Sequence, residues 1–229
     1  MTLVKVCGLT RAEDAGLAAE LGAWALGFVL TESPRRVSAA AAAELIAAVA
    51  AHRRAAAEGD AAAHAPLAVA VVTTETAEWV AAALAESGAD AVQLSGGADG
   101  PTVAQVREAA ARLRRRPLVI AAADTPDARL ADYVLLDART SGAYGGTGER
   151  LDWEALAADP AVPPGNLVLA GGLRPENVGA AIAALRPAAV DLASGVESSP
   201  GVKDQRRLRD FFAAVVEADR GAATRRTSG

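Results

Sequence analysis

Short apolar runs recur along this chain, and the stretches between them are alanine-rich with scattered charges. The runs are Leu3–Cys7, Ala25–Leu30, Leu67–Val72, Ala91–Leu94, Leu118–Ala121, Tyr133–Leu136, Leu167–Ala170 and Val190–Leu192. They are continuous rather than alternating, as strands covered on both faces are, and so predict a parallel sheet. The intervening stretches predict helices over Ala12–Leu21, Ala39–Arg54, Ala77–Glu86, Val103–Arg114, Trp153–Ala158, Pro175–Leu185 and Gln205–Glu217. After Ile120 there is room for only a short helix. Eight such units point to an α/β fold of the (β/α)8 or TIM-barrel kind. A doubly wound open sheet is the alternative, but it favours a three-glycine turn after the first strand, which Cys7-Gly8-Leu9-Thr10 lacks.

With 229 residues, 52% of them hydrophobic, the chain can bury the core of one such domain. The barrel is expected over residues 1–220, with Gly221–Gly229 as a frayed tail and His52–His64 as a helix end and loop. A net charge of −5 gives no basic field to draw nucleic acid or an anionic membrane. The apolar runs are too short to span a bilayer, and Met1-Thr2-Leu3-Val4-Lys5 does not read as a leader, so a cytoplasmic location is expected. One cysteine and two histidines predict neither an internal disulfide nor a zinc cluster. Oligomeric state is open between monomer and homodimer.

In a barrel, the residues at strand C-terminal ends converge on one mouth. Cys7 ends the first strand, Asp137 follows the sixth, and Arg35 and Arg36 lie in Ser33-Pro34-Arg35-Arg36-Val37 after the second. Singly, each has an ordinary explanation: a small buried hydrophobe, a turn residue, a solvated cation. Their shared placement favours a site. The glycine-rich stretch Ala138–Leu151 is longer than such connections usually are, which points to a functional loop. Gly171-Gly172 before a helix start, and Ala193-Ser194-Gly195 after the last strand, suggest backbone amides gathered around a phosphate. Either loop alone reads better as a tight turn; both in consecutive units favour phosphate.

Several segments together resemble phosphoribosylanthranilate isomerase. They are Lys5-Val6-Cys7-Gly8-Leu9-Thr10, Gly27-Phe28-Val29 with Ser33-Pro34-Arg35-Arg36-Val37, and Leu135-Leu136-Asp137. Further along come Gly145-Gly146-Thr147-Gly148 with Asp152-Trp153, Gly171-Gly172-Leu173 with Pro175-Glu176-Asn177-Val178, and Asp191 through Ser194-Gly195-Val196-Glu197 to Pro200-Gly201 and Lys203-Asp204. The matches run in family order from residue 5 to 204.

The resemblance implies a (β/α)8 fold and an Amadori rearrangement of N-(5-phosphoribosyl)anthranilate to 1-(2-carboxyphenylamino)-1-deoxyribulose 5-phosphate, a step of tryptophan biosynthesis. It makes Cys7 the general base and Asp137 the general acid. An arginine, Arg36 in preference to Arg35, would meet the anthranilate carboxylate. Amides of Gly146, Gly172, Ser194 and Gly195 would hold the phosphate. No cofactor or metal is implied; the partner is a small phosphorylated substrate.

The chain departs from the family pattern at Ser95, where histidine is usual, at Val69–Thr73, which lacks a phenylalanine, and at Ala170 and Ala193, where serine is common. These departures leave two other functions in view: a paralogous barrel acting on a related aminosugar phosphate, and a non-catalytic sugar-phosphate binding protein. Indole-glycerol-phosphate synthase would want a lysine acid, and only Lys5 and Lys203 are present. The bifunctional barrel isomerase would want an aspartate where Cys7 stands.

Overall fold

The computed structural model describes residues 1–56, 65–137 and 165–227. Within them, eight parallel strands close into a barrel in strict chain order: β1 (Leu3–Val6), β2 (Ala25–Val29), β3 (Leu67–Val72), β4 (Ala91–Leu94), β5 (Leu118–Ala122), β6 (Tyr133–Asp137), β7 (Leu167–Ala170) and β8 (Ala189–Leu192). Every strand boundary falls within one residue of that expected from the apolar runs. The helices are α1 (Ala12–Glu20), α2 (Ala39–Ala56), α3 (Ala77–Ser87), α4 (Val103–Ala109), α5 (Val178–Leu185) and α6 (Gln205–Thr227).

Strand alternation sorts the side chains into two cores. Val4, Val6, Leu26, Phe28, Val92, Leu94, Leu169 and Leu192 face the helices. Ala25, Val69, Val71, Ala91, Ile120, Leu135, Val168 and Ala189 fill the barrel with Cys7. At the bottom, Trp24 and Tyr133 meet edge to face with ring centroids 4.9 Å apart. The polar side chains Lys5, Gln93 and Asp191 are also buried.

Helix limits differ from expectation where side chains compete with the backbone ladder. Val103–Arg114 is helical only to Ala109, then tightens into a 3-10 turn over Ala110–Arg112. The clustered cations Arg112, Arg114, Arg115 and Arg116 before Pro117 disfavour continuation. Helix α5 starts at Val178 instead of Pro175, because the Asn177 side chain accepts the Arg174 N–H at 2.8 Å and donates to the Gly172 carbonyl at 3.0 Å. The backbone of α6 runs to Thr227, through most of the expected tail, along alanines and arginines of high helix propensity. A small antiparallel hairpin, β9 (Glu197–Ser199) with β10 (Val202–Lys203), lies outside the barrel and was not expected. The expected helix Trp153–Ala158, the loop Ala138–Leu151, residues 57–64 of the His52–His64 segment, and residues 228–229 lie outside the described residues.

Candidate active site

The register of the barrel seam builds the first part of the site. Lys5 on β1 pairs directly with Asp191 on β8, and Lys5 Nζ donates to both Asp191 carboxylate oxygens at 3.0 Å. The pair is buried. Cys7, the next inward residue, continues the ladder by donating its N–H to the Leu192 carbonyl at 2.8 Å. The Cys7 sulfur and the Lys5 ammonium both lie over Gly27, where a Cβ would stand only 2.9 and 3.1 Å from them. Glycine at 27 therefore makes the space in which thiol and ammonium meet.

Burial pushes the Cys7 thiol above its ordinary range, and the Lys5 ammonium works against that push. Burial alone would lower the Lys5 ammonium, but Asp191 and then Cys7 outweigh it and hold it above its ordinary value, so it stays charged.

A cavity of about 270 Å³ opens at the C-terminal mouth of the barrel. Cys7 and Asp137 both line it, with Gly172, Ser194 and Gly195 from the loops after β7 and β8. These five expected site residues are brought together; Gly146 lies outside the described residues. Gly195 permits the close approach of the two loops, since a Cβ there would run into the Leu173 carbonyl. Gln93 and Ser95 of the β4 end line the same cavity, and Gln93 Nε2 donates to the Ser95 hydroxyl at 2.9 Å. Ala170 and Ala193 line it without offering a hydroxyl.

Neither Arg35 nor Arg36 is among the residues that line the cavity, and the two differ in burial. Arg36 is exposed, its backbone bridging to Val29 alongside β2. Arg35 instead folds back over Gly8, and its Nε and Nη2 donate to the two Glu197 oxygens at 2.8 and 2.6 Å. A turn sets this choice: the Arg36 N–H donates to the Ser33 carbonyl at 3.0 Å and the Arg35 N–H to the Ser33 hydroxyl at 3.1 Å, so Arg35 lies within the turn and Arg36 on the bridge that follows it.

Glu197 and Lys203 had no role assigned from sequence. Lys203 Nζ donates to Glu197 Oε1 at 2.8 Å, to the Cys7 carbonyl at 2.7 Å and to the Ala193 carbonyl at 3.2 Å. Burial would raise the Glu197 carboxyl, but the hydrogen bonds from Arg35 and Lys203 outweigh it and hold it below the ordinary carboxylate range. One signal was available in the sequence. A chain whose side-chain cations are otherwise arginines keeps lysine only at 5 and 203, and both are buried beside the mouth.

Among the described residues no cluster of histidine, cysteine and carboxylate side chains could hold a metal ion. The fold and this mouth, with a thiol and a carboxyl group facing one cavity beside two glycine-bearing loops, define a (β/α)8-barrel enzyme. Residues 4–214 match the family model described as N-(5'phosphoribosyl)anthranilate (PRA) isomerase. The N-(5'-phosphoribosyl)anthranilate isomerase of Geobacter sp. (strain M21) is 41% identical over 217 residues, 93% of this chain and 97% of that protein. A solved phosphoribosyl anthranilate isomerase in complex with reduced 1-(o-carboxyphenylamino)-1-deoxyribulose 5-phosphate is 30% identical, with a TM-score of 0.69 over 95% of this chain and all of that one. Monomers generated from the dimeric isomerase of Thermotoga maritima are 30% identical, with a TM-score of 0.68 over 94% of this chain and 99% of that one. The chain belongs to the N-(5'-phosphoribosyl)anthranilate isomerase family.

Proposed function

We propose that this chain isomerises N-(5'-phosphoribosyl)anthranilate to 1-(2-carboxyphenylamino)-1-deoxyribulose 5-phosphate in tryptophan biosynthesis, with Cys7 as base and Asp137 as acid. The observation that supports the assignment of roles is that Cys7 and Asp137 line one and the same cavity, beside the loops after β7 and β8. Asp137 protonates the furanose ring oxygen as the C1–O bond breaks, leaving an iminium with the anthranilate nitrogen. Cys7 then removes the C2 proton, and the C2–H electron pair moves to quench the iminium as an enolamine. Tautomerisation of the enol gives the ketone.

Amides of Gly172, Ser194 and Gly195 hold the phosphate, with Gly146 as a further donor from the loop after β6. Arg35 takes the anthranilate carboxylate, because its guanidinium is the one tethered beside Cys7. No step requires a cofactor. A cytoplasmic location is part of this proposal; among the described residues no helix is long and apolar enough to cross a membrane. A homodimer has its precedent in the Thermotoga relative, with the monomer as the alternative.

Steady-state turnover of freshly generated phosphoribosylanthranilate, followed by loss of its fluorescence, tests this. Cys7→Ser and Asp137→Asn are each expected to lower kcat by at least ~100-fold. Tight binding without turnover in the unaltered protein would overturn it and favour a binding protein.

A further inference from the structure

Beside Cys7, two side-chain cations share one carboxylate. Lys5 is matched by Asp191, and Arg35 by Glu197. Asp14, which accepts the Lys203 backbone N–H at 3.0 Å, has Arg11 4.0 Å away. Lys203 shares Glu197 with Arg35, and its other two acceptors are neutral carbonyls. It is fully buried, so water does not screen its charge as it would at the surface.

An Arg35–Glu197 pair alone is neutral as a unit, and its bidentate geometry commits Nε and Nη2 of the guanidinium. A substrate carboxylate approaching the Nη1 side would meet an arginine already neutralised and a glutamate that repels it. Lys203 changes the balance to two cations on one carboxylate.

Resting on the assignment of Arg35 to the anthranilate carboxylate, we propose that Lys203 is a specificity-determining positioning residue: it neutralises Glu197, so that Arg35 is both held in place and left with charge for the substrate carboxylate. Lys203 does not touch the substrate. It acts through Glu197 and Arg35, and it joins them to the base strand and the phosphate loop by its bonds to the Cys7 and Ala193 carbonyls.

Two inhibitors test this: the reduced product analogue and the same compound with a plain phenylamino group in place of the 2-carboxyphenylamino group. The ratio of their inhibition constants reads the carboxylate alone, with the phosphate common to both. Lys203→Met is expected to cut the preference for the carboxylated inhibitor by about tenfold or more, the scale of one nearby charge at intermediate dielectric. Lys203→Arg keeps the preference even if both inhibitors bind more weakly. The double variant Lys203→Met/Glu197→Gln leaves Arg35 as the sole charge of the trio and is expected to regain the preference. That double variant is charge-balanced and serves even if Lys203→Met does not fold. Equal weakening of both inhibitors in Lys203→Met, with no recovery in the double variant, would show a scaffold role only and overturn the proposal. An unaltered protein that binds both inhibitors equally would overturn it too. If the unaltered protein binds neither and does not turn over substrate, the isomerase assignment itself fails, and the proposal falls with it.

Discussion

Cys7 is placed under two opposed demands: a general base must give up its proton, whereas a buried thiol holds on to one. Burial wins in the free protein, and Lys5 and Lys203 oppose it. Since the thiol titrates above its ordinary range, the ultraviolet thiolate absorbance of the protein, taken as the difference from Cys7→Ser, is expected to climb with pH and to be still rising past about pH 8.5. Lys5→Met removes an opposing ammonium and should carry that rising limb further toward alkaline pH. A pH titration of that absorbance for the two proteins checks both statements, and a limb unmoved by the substitution would show that Lys5 does not tune the thiol. At this scale the sequence reveals the strand-end residues Cys7 and Asp137, because chain order alone places them at the mouth. It does not resolve Arg35 from Arg36, because the two are chemically alike and only the folded turn on Ser33 separates the one within it from the one on the bridge to Val29. Nor does it reveal what Lys203 does: being one of two lysines marks it, but its partner carbonyl at Cys7 is 196 residues away in the chain.

The loop from Gly171 to Asn177 is shaped by one side chain. Asn177 grips the Arg174 N–H and the Gly172 carbonyl, which delays the start of α5 and sets the backbone beside the proposed phosphate position. Asn177→Ala frees both partners, so it is expected to raise KM several-fold with little change in kcat. It should lower stability by about 1–2 kcal/mol for the lost bonds. Steady-state kinetics beside a urea titration separates the two effects. The main elements are legible in sequence because the strands are mostly apolar on both faces and the helices follow them in turn. Hairpin β9–β10 is not, since strands of three and two residues, Glu197–Ser199 and Val202–Lys203, carry no hydrophobic period. Yet this hairpin supplies both Glu197 and Lys203 to the mouth.

The whole barrel is closed by the contact of β1 with β8, and Lys5–Asp191 is the ion pair at that seam. Truncating one partner of a buried pair strands the other, so Asp191→Ala is expected to cost about 3–5 kcal/mol in urea unfolding. Lys5→Met/Asp191→Leu should recover most of that loss while leaving the protein without normal activity. The N-terminus is fastened in a similar way, with the Thr2 backbone N–H and hydroxyl donating to Asp219 of α6 at 2.6 and 2.8 Å. The seam also sets a timetable. The proposed base is made long before its partners: the lysine bonded to its carbonyl follows 196 residues later, and the aspartate that holds its neighbouring ammonium lies 186 residues beyond Lys5. A nascent or stalled chain therefore carries a nucleophilic cysteine with no site around it, and the chemistry switches on only when the final strand and hairpin have been translated and docked.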